Sequence, residues 1–190
     1  MLVLDKRLQA RLYYLFMLAD GEVVPEEHDR FREICESMSL DDERREKIIN
    51  GCKDLPIVSG KDNSAKIIAE MSKTLSEYEK NSWPPISENK QAQAQVIWTL
   101  INLGYADSDY SEPEKNVITF LVDFWSFDRH LLGEMLDTAE TMLALTKQKE
   151  WIKTTNNPYD TINTRIKHID ETIKQLFESM DITLLEADIA

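Results

Sequence analysis

The feature that most limits how this chain can fold is a segment near its start that is apolar on nearly every side. Residues 4–18 place Leu4, Leu8, Leu12 and Leu15 at helical spacing around the run LYYLFML. A helix without a polar face has to be covered on all sides by other elements. The segment therefore predicts a central, buried helix that ends at the tripeptide ADG.

The rest of the chain shows helical periodicity as well, and no segment alternates apolar and polar residues over the length of a strand. Pro25 and Asp41 are typical of helix starts, and Gly51 is typical of a helix end. Further helices are predicted from Pro25, from Asp41 to about Gly51, and over 63–80, about 88–105, 112–124, Asp128 to about Thr146, and 159–184. The predicted fold class is all-α, with about eight helices and essentially no strand.

An internal repeat is indicated at an offset of 87 residues. The offset pairs Ala19 with Ala106, Asp20 with Asp107, Glu27 with Glu114, Ser39 with Ser126, and Asp41 with Asp128. Because these residues fall at helix ends and the matched apolar positions keep their phase, the offset predicts a pseudo-twofold helical array.

The predicted domain organisation is a helical domain over residues 1–150 followed by a C-terminal helical extension over 151–190. The domain divides into halves of about 1–80 and 88–150, because the double proline in the seam 81–87 interrupts the helix before it. The last helix repeats Ile and Leu in heptad steps, so it either covers the domain or pairs with a second chain as a homodimer.

The net charge of −13 restricts the partners of the chain. Such a surface repels nucleic acid and anionic lipids, and the sequence shows no local basic patch, so cations and basic proteins are the predicted partners. No apolar run approaches the roughly 20 residues that span a bilayer, and the first residues do not resemble a signal peptide, so we expect a cytoplasmic protein without membrane insertion.

The histidines and cysteines support no catalytic pattern. None of His28, His130 and His168 follows a glutamate by three residues, as di-iron bundles require. Cys35 and Cys52 lack metal-binding or redox spacing, and no GxSxG nucleophile elbow occurs. The sequence therefore predicts that the protein is not an enzyme.

Two acidic bends remain, one around LADGEVVPEE and one around GYADSDYSEPE. Glu27 and Glu114 fall in the first turn of a helix, where carboxylates stabilise free backbone amides, and Ser111 with Glu114 forms an S-x-x-E capping box. Asp20 and Asp107 instead follow a helix end, so their charge needs compensation by amides, by a basic side chain or by a hard cation. A standard EF-hand is excluded, because its glycine and its last glutamate are missing.

These two bends, with an apolar helix after LADGEVVPEE, resemble the TerB tellurite-resistance family, whose superfamily includes the amino-terminal domain of membrane-anchored DnaJ-like co-chaperones. The resemblance covers about residues 1–150. It implies an all-α fold of paired helices, no catalytic activity, a role in metal sensing or stress response, and a cation site. By position, the implied ligands are Asp20, Glu22, Glu27, Asp107, Asp109 and Glu114. Calcium is the predicted ion, with magnesium or manganese as alternatives.

Two functional hypotheses follow. The first is a non-enzymatic TerB-like module that binds divalent cations at the two interhelical turns and acts in a stress or metal-response complex. The second is a protein-interaction scaffold or co-chaperone-like adaptor whose acidic turns are only helix caps. In both hypotheses the partners are proteins, either basic or membrane-associated.

Overall fold

A computed structural model describes residues 5–81, 86–106, 110–155 and 158–186. Leu4, the seam residues 82–85, Asp107 and Asp109 lie outside these ranges. The described residues contain a short 3-10 segment at Ile86–Glu88, no β-strand and eight α-helices: α1 Lys6–Met17, α2 Pro25–Ser37, α3 Asp42–Cys52, α4 Ser64–Asn81, α5 Lys90–Gly104, α6 Glu112–Phe124, α7 Arg129–Lys153 and α8 Tyr159–Glu186. The predicted all-α class is confirmed.

The chain forms two compact units, residues 1–128 and residues 129–190. The first unit holds α1 to α6, and the second holds α7 and α8. The predicted domain boundary between 150 and 151 falls inside α7, because α7 is one continuous helix that packs against α8. The chain therefore passes from one compact unit to the other before α7 and not near its end.

The core of the first unit is built around α1. This helix contacts α2, α3, α4, α5 and α6, and the side chains of Leu12, Leu15 and Phe16 are completely buried. The prediction of a central, buried helix is thereby confirmed. Ten residues of α5 are buried too, which makes α5 the second central helix. Helices from before and after the seam thus share one hydrophobic core.

Two helices of this unit end in the same way. After α2 and after α6, Ser39 and Ser126 adopt φ angles of 59° and 50°. The next residue in each case donates its backbone N–H across the helix end, from Leu40 to Cys35 O at 2.9 Å and from Phe127 to Val122 O at 2.8 Å. Both ends are Schellman motifs, which satisfy carbonyl groups that a helix end leaves unpaired.

The helix bounds agree with the 87-residue offset over part of the chain. The bounds of α2 and α6 differ by that offset at both ends, and α1 and α5 end at Met17 and Gly104. The starts of α3 and α7 also differ by 87 residues, but their ends do not, since α3 has 11 residues and α7 has 25. The pseudo-twofold array of the whole domain stays a prediction.

The second unit consists of α7 and α8, which pack on each other. Lys149 of α7 forms an ion pair with Asp170 of α8 at 2.5 Å. Within the heptad stripe of α8, Ile169 and Met180 are buried, whereas Ile162, Ile166, Ile173 and Leu176 are only half-buried. The predicted homodimer through α8 stays a prediction. Among the described helices, none is long and apolar enough to cross a membrane.

Candidate functional site at the two acidic turns

The first acidic turn connects α1 to α2 and packs closely on the loop between α3 and α4. Gly21 adopts a φ angle of +87°, and a Cβ atom there would lie 2.3 Å from the carbonyl oxygen of Val58. It would also lie 2.9 Å from Nδ2 of Asn63. Only glycine allows both this conformation and this approach of one backbone to another. The turn is therefore fixed by its contact with the loop.

Asn63 holds the first turn, the loop and the start of α4 together. Its backbone N–H donates to Ala19 O at 2.7 Å. Its side chain is buried, accepts a hydrogen bond from Val58 N at 3.0 Å, and donates to the carbonyl oxygens of Val58 and Lys61 at 2.9 and 2.7 Å. Asn63 was not among the residues for which the sequence predicts a role. The signal was present, because GKDNS places turn-forming residues directly at a predicted helix start.

The predicted ligands of the first turn have different environments. Oδ1 of the half-buried Asp20 accepts a hydrogen bond from the backbone N–H of Glu22 at 3.0 Å, and Glu22 itself is exposed. Glu27 is only 4% exposed, and its Oε2 accepts a hydrogen bond from Val24 N at 3.0 Å. The backbone amide of Glu22 thus compensates the charge of Asp20, which is one of the three predicted alternatives. Glu27 caps the start of α2.

In the second turn, the buried Glu114 has the same position at the start of α6. Its Oε2 accepts hydrogen bonds from the backbone N–H and from the hydroxyl of Ser111, both at 2.8 Å. The hydroxyl oxygen of Ser111 accepts in turn from the N–H of Glu114 at 3.4 Å. The predicted capping box is confirmed. The other two predicted ligands of this turn, Asp107 and Asp109, lie outside the described residues.

An aromatic side chain closes the second turn from the α5 side. The ring of Tyr110 packs on Gly104, where a Cβ atom would lie 2.6 Å from its Cδ2 atom, and it lies 5.0 Å from the ring of Tyr105. Burial raises the pKa of Tyr110 above its ordinary value, and the negative charge of Glu114 acts in the same direction. The phenol therefore stays neutral beside the buried glutamate. No motif in the sequence predicted a role for this tyrosine.

The described geometry favours helix capping over metal coordination. Calcium takes roughly six to eight oxygen ligands. In the part of the chain that the structure describes, no group of three or more His, Cys, Asp or Glu side chains is arranged to hold a metal ion. Asp20, Glu22 and Glu27 are therefore not brought together as a ligand group, because Glu27 is turned inward onto Val24 and Glu22 outward to solvent.

The capping role predicts an order of stability among alanine variants. We expect Glu114→Ala to lower the free energy of unfolding by about 2 kcal/mol, because Ser111 loses two charge-assisted hydrogen bonds. Glu27→Ala should lower it by about 1 kcal/mol, since Val24 offers only its amide. The control Glu112→Ala removes an exposed ion pair with Lys115 and should cost about 0.5 kcal/mol or less. Urea unfolding measures the free energy of unfolding of all three variants. Equal losses in the three variants would contradict the capping role.

The comparison with protein families identifies a family for this chain. Residues 8–132 match the family model described as Tellurite resistance protein TerB. This range covers more than half of the chain, including α2 to α6 and both acidic turns. The resemblance inferred from the sequence is confirmed over this range, whereas the relation to DnaJ-like co-chaperones stays a prediction. Neither the comparison with curated proteins nor the comparison with solved structures gave a match.

Proposed function

The chain belongs to the TerB tellurite-resistance family, and on that premise we propose that it is a non-enzymatic helical module that binds protein partners in a stress or metal-response complex. The observation that carries this proposal is the position of Glu27 and Glu114. Both glutamates are buried and accept hydrogen bonds at the start of a helix. The buried glutamate of each turn thereby has a structural task that requires no bound ion.

The state of the two thiols supports a role without catalysis. Burial raises the pKa of Cys35 to about 11, and it raises the pKa of Cys52 as well. Neither thiol therefore forms the reactive thiolate at neutral pH. The chemistry that a cysteine nucleophile or a redox thiol would supply is not available at either position.

The charge of the chain indicates the kind of partner. A net charge of −13 attracts basic protein surfaces over long range and repels acidic ones. We therefore propose that the protein binds basic protein partners in the cytoplasm. The proposed role includes that of a co-chaperone-like adaptor. Association of this kind is expected to weaken as the salt concentration rises.

A divalent cation is the second candidate, with calcium first and magnesium or manganese as alternatives. It is favoured by the carboxylates of Asp20 and Glu22, which lie in one short bend with Glu22 open to solvent. Asp107 and Asp109 occupy the corresponding part of the second bend in the sequence. In this candidate function, Glu27 and Glu114 would support the ion site as helix caps behind it and would not bind the ion themselves.

Thermal melting separates the two candidates. The wild type and the double variant Asp20→Asn/Asp107→Asn are melted with and without calcium, magnesium or manganese at constant ionic strength. Asparagine keeps the side-chain oxygen that accepts from the amide of Glu22, so the first turn should keep its fold. We expect each ion to change both melting temperatures equally, because the proposed module needs no ion.

The contrary outcome is equally specific. An open site with a dissociation constant of roughly 10⁻³ M would stabilise the wild type by about 1.4 kcal/mol when the ion concentration is ten times that constant. Stabilisation of this size in the wild type, absent from the double variant, would contradict the proposal and support the cation site.

A further inference from the structure

A basic cleft lies in the first compact unit of this acidic chain. It has a volume of about 550 Å³ and is lined by residues of α1 and of the start of α3. The lining carries the four cations Arg7, Arg11, Arg44 and Lys47 against the two carboxylates of Asp41 and Glu43. The expectation of no local basic patch is therefore wrong here. The sequence hid the patch, because its cations come from two helices that are distant along the chain.

Arg11 forms a fixed wall of the cleft. Its Nη2 atom lies 2.6 Å from Oε1 of Glu70 on α4, and a Cβ atom at Gly51 on α3 would lie 4.0 Å from its Nη1 atom. The guanidinium group thus extends from α1 towards α3 and α4. Its Nε–H is buried and has no hydrogen-bond acceptor among the described residues. That Nε–H is closed to solvent, so a ligand in the cleft would meet the remaining part of the Arg11 side chain, which is 35% exposed.

The remaining cations are available to a ligand. Lys47 pairs with Glu43 at 2.6 Å, and Arg44 lies 3.6 Å from Asp41, but both pairs are formed by exposed side chains. Exposed pairs of this kind are weak and exchange partners easily. The side chain of Arg7 has no ion pair within the described ranges. An anion in the cleft can therefore attract three cations with exposed side chains in addition to Arg11.

We propose that this cleft binds a small oxyanion, either free or as the phosphate group of a small organic molecule. Guanidinium groups bind such anions through pairs of parallel hydrogen bonds, and a volume of this size is typical of small-molecule sites. Leu8 and Ile48 add an apolar part to the lining that could contact an organic group. The proposal goes beyond the binding module described above, because it uses neither acidic turn.

NMR titration of the full chain tests the proposal. Inorganic phosphate, tellurite and phenyl phosphate are added at constant ionic strength, with sodium chloride as the reference. We expect saturable shifts of amide signals in α1 and α3 and of the Nε–H signal of Arg11. Binding of both inorganic anions identifies a free oxyanion as the ligand, and binding of phenyl phosphate alone identifies an organic phosphate that uses the apolar lining. Shifts that do not saturate, or that spread evenly over the chain, would overturn the proposal.

Charge variants give the second arm of the test. Arg7→Gln/Lys47→Gln should weaken binding about tenfold. The matched control Lys53→Gln/Lys73→Gln removes the same charge from exposed positions outside the cleft lining and should bind like the wild type. Glu43→Gln removes a carboxylate from the lining and should tighten binding several-fold, which mere damage to the fold would not do. Equal weakening in the control, or no gain in Glu43→Gln, would show that the cleft is not the site.

Discussion

Gly21→Ala is expected to lower the free energy of unfolding by roughly 3 kcal/mol or more, which is among the largest effects of a single substitution. The alanine would have to adopt a φ angle of +87° and would place its Cβ atom 2.3 Å from the carbonyl oxygen of Val58. That neighbour is a backbone atom, so a rotation of a flexible side chain cannot relieve the overlap. The first turn or the loop between α3 and α4 must move.

Gly60→Ala is the matched control for this prediction. Gly60 has a φ angle of +63°, but a Cβ atom there would have no neighbour within 4 Å. The control therefore isolates the cost of the left-handed conformation, about 1–2 kcal/mol. Urea unfolding of both variants in one buffer gives the comparison. Equal losses would mean that the turn does not pack on the loop as described.

The same contacts involve the acidic motif itself. In the tripeptide ADG, Ala19 accepts a hydrogen bond from Asn63, Asp20 accepts one from Glu22, and Gly21 allows the close approach to Val58. All three residues thus have a role in holding the first turn. The tripeptide therefore has a packing and hydrogen-bonding role in this turn.

The features that the sequence predicted well are those set by neighbouring residues. The start of α2 at Pro25 and the capping box of Ser111 and Glu114 depend on contacts within one helical turn, so local reasoning is sufficient. The end of α7 was placed too early, at about Thr146, whereas the helix continues to Lys153. No proline or glycine follows Thr146 until Pro158, so nothing local stops the helix there.

The features that the sequence did not predict depend on contacts between distant segments. The pairing of Gly21 with Val58 and the joining of Arg7 and Arg44 in one cleft require the tertiary structure. Glu27 is a different case, because its contact with Val24 is local. Its position in the first turn of α2 is compatible with a cap and with a metal ligand, and only the direction of the side chain shows the cap.

Asn63→Asp is expected to have the second large effect, about 3 kcal/mol or more at pH 7. The carboxylate would be buried beside the carbonyl oxygens of Val58 and Lys61, to which the amide group of Asn63 now donates. Two acceptors would then face a negative charge, and the nearby Lys66 Nζ, 3.2 Å from Oδ1, would offset only part of that cost. The control Asn50→Asp changes an exposed residue of α3 and should alter stability by about 0.5 kcal/mol or less.

The sign of the pH dependence makes this prediction specific. Burial and the two carbonyl oxygens raise the pKa of the introduced carboxyl in the folded state above its unfolded value of about 3.9. Below that unfolded-state pKa, the introduced carboxyl is protonated in the folded and in the unfolded state. The neutral carboxyl can donate one hydrogen bond, so the stability of the variant comes closest to that of the wild type there. As the pH rises from there towards the folded-state pKa, the stability difference should grow by about 1.4 kcal/mol per pH unit and then level off. Urea unfolding of both proteins between pH 3.5 and pH 7 measures it, and a difference that does not change with pH would show that Asn63 is not enclosed by these acceptors.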